Sequence, residues 1–560
     1  VLTLSLATML ALTFAALTLA FARLLQAEDQ NPIYNVFGAI AFIRSGERTP
    51  LLRPDTPVLT AHGAQQMLEL GKQFRGRYIV GSGADNGLGV QNIPGIEPDI
   101  LNNDQLFIQT LDKPYLVSSA QAFMQGLYPA SKSNSSSLLG DAVGTMADGE
   151  DVGYPLDGYQ YPRIQSLSEL DPQMIYLAGG DDCPMSNLAS AQYEISQDFL
   201  ETQSAEKRFY GDMELEWFEG NVQDWQLDYR YASDLYEYLD YAYAHNATTF
   251  AALSASNTNT TTTTPSILAK AASLASQDAY YRYGNASSDS PNALTTQAMP
   301  GATLSALLLG QFQKIIQNKG NHGDTSTGIS HPLSLLFGDA EPLTSFFSLA
   351  NIDILKPEYS NFAAALPPFA SAMMLELFTL QRNESFPDDV GDLWVRLYFH
   401  NGTEGFDANS TGPIAYSMFR RGHSQMDMPW TDFEAQMSKI MVNELKDWCS
   451  QCSSGSVFCL GAEGTSVVLI GDEGRKEHGI SAAVGGIIGA VVTLTIAGLI
   501  FAAAMLLGGV RFHRVERRTG AKSSLGGFKG AGKLASDPDL ATFAAEGAAP
   551  AGIVIGKKDG

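Results

Sequence analysis

Residues 44–50 read Arg-Ser-Gly-Glu-Arg-Thr-Pro. Arg44 and Arg48 stand four apart around Gly46, and two converging guanidinium forks suit the bidentate oxygens of a phosphate or another oxyanion. On spacing alone, the commoner outcome is that each arginine pairs with one of the chain's many carboxylates. Ser45 between them offers a hydroxyl, a poor nucleophile until a base takes its proton, and Glu47 would be that base only if the backbone turned it inward. A second segment, Phe337-Gly338-Asp339-Ala340-Glu341-Pro342-Leu343, holds two carboxyls able to donate a proton. The eight histidines show no metal-ligand spacing, with His62 at a helix start and His331 before a strand, so neither metal nor cofactor is expected.

The elements that must carry these residues are visible in the pattern. Val36 to Phe42 is a short apolar run rich in β-formers, predicting a buried strand that runs straight into the polar residues 44–50. The polar end of such a strand is where α/β folds place ligands. Thr60 is suited to cap a helix, and Met67, Leu68, Leu70 and Phe74 give the following residues an amphipathic helical face. Ser334 to Phe337 predicts a second strand, meeting the turn Gly338-Asp339. Between them, residues 224–246 read as one helix, and the Thr-rich residues 254–266 read as a loop that supplies no core. No repeat of fixed period is evident.

The chain has 560 residues, 45% hydrophobic and 17% charged, which allows two to four units of about 100–200 residues. A net charge of -25 argues against a nucleic-acid partner, because that affinity needs clustered cations opposite phosphates. It also repels polyanions at neutral pH. The acidity is uneven: residues 28–479 carry 25 Lys or Arg against 55 Asp or Glu, residues 511–560 nine against five, and an uncharged apolar run, 480–510, separates them. That run exceeds the ~20 residues a helix needs to cross a ~30 Å hydrocarbon core. Arg511, Arg514, Arg517 and Arg518 follow it directly, predicting a transmembrane helix with a cytoplasmic tail at 511–560. Gly485 and Gly489 make a G-x-x-x-G in the span, a candidate homodimer face.

Residues 1–27 read as a secretory signal peptide, an uncleaved anchor being the alternative. That leaves an extracytoplasmic region at 28–479, at the cell surface or on a secretory-pathway or vacuolar membrane. Sequons at Asn134, Asn246, Asn259, Asn285, Asn383, Asn401 and Asn409 all fall inside it. So do the four cysteines. Cys449 and Cys452 form a C-x-x-C with no second such pair nearby, so two disulfides are expected and not a zinc site. Of three connectivities the favoured one joins Cys183 to Cys449 and Cys452 to Cys459.

With these residues in view, the sequence resembles the histidine acid phosphatases of branch two, which include fungal phytases. Their R-H-G-x-R-x-P motif stands here as Arg44 to Pro50. Leu59-Thr60-Ala61-His62-Gly63 with Leu70-Gly71 and Arg75-Gly76-Arg77-Tyr78 is similar to their next helix. Asp112 with Ser119-Ala120 and Gly126-Leu127-Tyr128-Pro129 resembles a further segment. Ala370-Ser371, Glu376-Leu377-Phe378 and Val395 to Gly402 resemble late strands. The similarity runs over roughly residues 34–460. It implies an α/β, phosphoglycerate mutase-like core with a mainly parallel sheet flanked by helices, and a smaller helical cap at roughly 140–290. The pocket would lie between core and cap at the C-terminal strand ends.

The departures bear on chemistry. In the family a His after the first Arg attacks phosphorus and carries the phosphoryl group; Ser45 stands there. The family's downstream Arg, another phosphate contact, falls at Tyr115 in an ungapped match, so a cationic contact is expected to be lost. The late His-Asp pair, which steadies the phosphoryl group and protonates the leaving oxygen, meets Gly338-Asp339-Ala340. Either Asp339 takes the His position and Ala340 replaces the acid, or Gly338 takes the His position and Asp339 is the retained acid. The first register keeps the apolar helix positions and is preferred; Glu341 is a further proton donor in both. The preferred reading is a membrane-anchored, catalytically degenerate member with a pocket for a phosphorylated or anionic small molecule. The alternatives are an active phosphomonoesterase using Ser45 with Asp339 or Glu341, and a ligand-free cell-surface protein.

Overall fold

The computed structural model describes residues 34–462 apart from 82–91, 131–145, 151, 257–265, 285–295, 322–329, 353–365, 382–384, 403–412 and 423. The first apolar run forms β1 (Asn35–Arg44), buried throughout, as expected of a strand covered on both faces. Around it lie β2 (Leu106–Leu111), β3 (Ile164–Leu167), β4 (Leu333–Gly338), β5 (Ala372–Thr379), β6 (Leu393–His400), β7 (Ile414–Tyr416) and β8 (Asp427–Pro429). The sheet runs in the order β3-β2-β4-β1-β5-β6-β7, with β8 also on β6. The pairs β3–β2, β2–β4 and β4–β1 are parallel; β1–β5, β5–β6, β6–β7 and β6–β8 are antiparallel.

The sheet is therefore mixed and not mainly parallel. Parallel neighbours need long crossovers, whereas antiparallel ones can be joined directly. Among the described residues, no α-helix lies between β5 and β8.

Side chains alternate across β1 with the two-residue period of a strand. Ile40 and Phe42 join Leu336, Leu304, Leu308 and Phe312 on one face, while Ala39, Ala41 and Ile43 join Leu335, Met67, Leu70 and Phe123 on the other. The second face is covered by α1 (Ala61–Phe74) and α2 (Pro114–Leu127). A helical segment follows: α3 (Pro184–Glu194), α4 (Gln197–Gly211), α5 (Ala232–His245), α6 (Ala247–Ser256) and α7 (Ile267–Ala279). It has its own core of Phe199, Tyr210, Phe218, Tyr229, Tyr238 and Leu239. The first face is covered by α8 (Met299–Gln317), α9 (Glu341–Leu349) and α10 (Trp430–Ile440); α11 (Leu445–Cys452) and α12 (Val457–Ala462) complete the described chain.

Residues 224–246 are not one helix. Short 3₁₀ turns at Asp224–Gln226 and Tyr229–Tyr231 precede α5. The Asp228 carboxylate accepts from Arg230 N at 3.0 Å, a local bond that competes with helix continuation. Of the segment read as a Thr-rich loop, residues 254–256 belong to α6, Ser266 caps α7, and 257–265 lie outside the described residues.

The disulfides join Cys183 to Cys452 and Cys449 to Cys459, the opposite of the favoured pairing. Cys183 caps α3 and meets the last residue of α11, with the two Cα atoms 4.5 Å apart. Ser453 then adopts a left-handed conformation (φ 50°), which reverses the chain and brings Cys459 back to Cys449.

Of the sequons, Asn246 and Asn401 are described. Asn246 Oδ1 accepts from Thr248 N at 2.9 Å at the start of α6, and Asn401 is exposed. The other five lie outside the described residues, as do residues 1–27, 480–510 and 511–560 with Gly485 and Gly489. No helix among the described residues is long and apolar enough to cross a membrane.

Candidate active site

The adjacent C-terminal ends of β1 and β4, with Arg44 opposite Gly338, bring the two chemical segments to one edge of the sheet. The loop after β1 is pressed against the start of α1. A Cβ at Gly46 would lie 2.4 Å from Gly63 O, and one at Gly63 would lie 2.1 Å from Glu47 O, so neither position admits a side chain as it stands. Thr60 caps α1, accepting from Gly63 N at 2.9 Å and donating to Glu47 Oε1 at 2.7 Å. His245 Nε2, at the end of α5, lies 2.6 Å from the same Glu47 oxygen. Glu47 is thus committed to Thr60 and His245. Ser45 Oγ is buried and has no hydrogen-bond partner, so nothing is placed to take its proton.

Arg44 and Arg48 converge, each only 4% exposed. They converge on a carboxylate of the chain itself. Glu237, from the middle of α5, receives Arg44 Nη2 on Oε1 and Arg48 Nη2 on Oε2 at 2.9 Å. Arg44 Nη1 donates to Pro367 O, and its guanidinium lies over the Phe369 ring, 4.1 Å from the centroid, a cation–π contact. Arg48 lies 5.2 Å from the Tyr115 centroid, and its Nε is buried without a partner.

Asp339 accepts from Lys113 Nζ at 3.0 Å and from Tyr115 Oη at 3.0 Å. Burial pushes its carboxyl up, but the charges of Lys113 and Arg48 and these hydrogen bonds outweigh burial and hold it below the usual carboxylate range. In the sequence match the family's downstream Arg position falls at Tyr115. Tyr115 leaves no guanidinium there, but Lys113, two residues earlier, supplies an ammonium. Glu341, in the first turn of α9, behaves in the opposite sense: burial and the neighbouring Asp339 charge push its carboxyl up to about 7.

Arg44, Arg48, Asp339, Ala340 and Glu341 line one cavity of about 370 Å³ with residues of the helical segment. Ser45 does not line it. From the other wall, Arg230 pairs with Glu194 at 3.1 Å, and Arg282 with Glu194 at 2.9 Å and Asp278 at 2.8 Å. Every arginine of the lining therefore has a carboxylate partner. Burial, with the nearby Glu237 charge, lifts Asp234 to about 6, and burial lifts Asp278 to about 6 against the pull of Arg282. Four arginines face six carboxyls, counting Glu194, Asp234, Glu237, Asp278, Asp339 and Glu341, which is a net acidic lining. Among the described residues no three His, Cys, Asp or Glu side chains are placed so that they could hold a metal ion together.

The sequence reading missed Glu237, His245 and Lys113. Glu237 and His245 sit on an acidic, Tyr-rich helix whose spacing marks a buried face and no partner. Lys113 adjoins Asp112, and the resemblance points for its cation to Tyr115, two residues on.

The model of the histidine phosphatase superfamily, branch 2, matches residues 38–400. The chain belongs to this family. Two segments that carry the resemblance meet on β5: Arg77 Nε and Tyr78 Oη, from the turn after α1, donate to the fully buried Glu376 at 2.7 and 2.8 Å. Among solved structures, the fold is similar to the phytase from Citrobacter braakii, with 13% identity, 75% of this chain and 99% of that one covered, and TM-score 0.46. It is similar to Hafnia alvei phytase in complex with myo-inositol hexakis sulphate, with 11% identity, 73% and 98% covered, and TM-score 0.44. It is also similar to the phytase from D. castellii, with 13% identity, 79% and 87% covered, and TM-score 0.39. No curated protein matches the sequence.

Proposed function

We propose that this histidine phosphatase family member is catalytically degenerate, a membrane-anchored extracytoplasmic protein that retains an anion-gripping arginine pair without phosphomonoester turnover. The observation that carries the reading is Ser45, at the family's nucleophile position, with a buried hydroxyl that has no partner. An effective general acid contributes ~10²–10⁴-fold, so Glu341, pushed up to about 7 and thus protonated below neutral pH, would still be worth having. A missing nucleophile commonly removes most of the acceleration at once, because such groups act as a unit. Arg44 and Arg48 can still hold charge electrostatically. The topology proposed is a signal at 1–27, an ectodomain at 28–479, a span at 480–510 and a cytoplasmic tail.

The test is phosphate release from an aryl phosphate by the purified ectodomain between pH 3 and 7. We expect none above a boiled control; release that disappears in Ser45→Ala would restore the active-phosphatase reading. One observation favours the ligand-free alternative: both arginines are already occupied by Glu237.

A further inference from the structure

We propose that Glu237 is a built-in occupant of the two-arginine site, and that α5 is the strap that holds it there and keeps the site closed to external oxyanions. Glu237 places one oxygen on each guanidinium, the bridging arrangement that a bound phosphate or carboxylate would adopt. It is itself only 13% exposed, and an external anion would have to displace it to reach both guanidiniums. The same helix reaches the motif loop a second time, eight residues on, through His245 and Glu47 at 2.6 Å. Eight residues are a little over two turns, so the two side chains share one face of α5. This face therefore grips the motif loop at both ends.

Arg48 Nε, buried and unpartnered within the same site, shows that the internal carboxylate does not use every donor the pair presents. A tetrahedral oxyanion with more acceptor oxygens could use it. The site is built for more than Glu237 supplies, yet Glu237 occupies it.

The inference rests on reading Arg44 and Arg48 as a retained oxyanion grip. It is separable from the question of turnover, since phosphate release would refute the inert reading and leave occupancy by Glu237 untouched. The experiment is calorimetric titration of the ectodomain with inorganic phosphate at constant ionic strength. Wild type is expected to show no binding at millimolar phosphate, and Glu237→Gln is expected to bind at least tenfold more tightly, with the gain abolished by adding Arg48→Ala. Asp234→Asn, which removes a carboxyl from the same cleft without touching either arginine, is the control and should gain little. An equal gain in Asp234→Asn would reduce the effect to net charge and overturn occupancy. So would a Glu237→Gln protein that is folded but binds no better than wild type. Should Glu237→Gln fail to fold, wild type and Arg48→Ala decide together: phosphate stabilises folded proteins by exclusion as well as by binding, so a larger rise in melting temperature for wild type than for Arg48→Ala means the site was open, and equal rises support closure.

Discussion

Lys113 Nζ lies 3.0 Å from Asp339 Oδ2, across the gap between the start of α2 and the end of β4. A cation persists where the sequence match places only Tyr115, but it serves an internal carboxylate. The same holds across the cleft, where Glu237 takes Arg44 and Arg48, and Glu194 takes Arg230 and Arg282. A site whose cations are met by its own carboxylates offers little to a polyanion.

Replacing Lys113 with Met should cost stability in a pH-dependent way. Asp339 has a depressed folded pKa, so its contribution is present above the unfolded value of 3.8 and is lost as pH falls through the lower folded value. The Lys113 side chain is 38% exposed, so screening limits the loss at pH 7 to about 1 kcal/mol. Urea melts of wild type and Lys113→Met should differ at pH 7 and draw together toward pH 2.5. A difference that stays constant across that range would remove Asp339 as the partner that matters.

Glu341→Gln should act with the opposite sign. A carboxyl raised to about 7 in the folded state, against an ordinary value near 4.5, keeps its proton longer in the native protein. Its contribution is therefore fully present below about pH 4.5 and is lost as pH rises through 7. The amide cannot ionise, so the variant should match wild type at pH 4 and be more stable at pH 8, by about 1–3 kcal/mol. Thermal melts at the two pH values check this, and a destabilised variant at pH 8 would contradict it.

Gly63→Ala tests how tightly the motif loop sits on α1. The added methyl would approach Glu47 O to 2.1 Å, and the next nearest atoms are also Glu47 backbone, so the loop carrying Arg44 to Arg48 must move. Overpacking of this kind costs about 1–3 kcal/mol or more. Thr60→Ala, which removes only the cap and its bond to Glu47, should cost about 1 kcal/mol. Denaturant curves of the two variants should fall in that order.

The legible part of this fold was the part written in local periodicity. The uninterrupted apolar run before Arg44 meant a strand buried on both faces, and Thr60 followed by Met67, Leu70 and Phe74 meant a capped helix with one buried side; β1 and α1 are those elements. What joins residues far apart was not legible. Strand direction is set by the connections, so β5 and β6 read as well parallel as antiparallel. Glu237 lies 193 residues from Arg44, on a helix whose charges look like an ordinary solvated face. The segment 224–246 misled because Asp228 closes a local turn in an otherwise helical pattern.

The two disulfides should differ in worth, because each constrains a loop of different length in the unfolded chain. Cys183–Cys452 closes a separation of 269 residues and Cys449–Cys459 one of 10. In the chain-entropy account this corresponds to roughly 5–6 and about 3 kcal/mol. Both bonds meet on α11, so removing the long one also frees α11 from α3, whereas removing the short one frees only α12. Paired Cys→Ala variants of each bridge, compared by chemical denaturation of the oxidised ectodomain, should therefore lose stability unequally, with Cys183→Ala plus Cys452→Ala the weaker protein. Peptide mapping that recovered Cys183 linked to Cys449 would undo the argument, since α11 would then be tethered at its middle and not at its end.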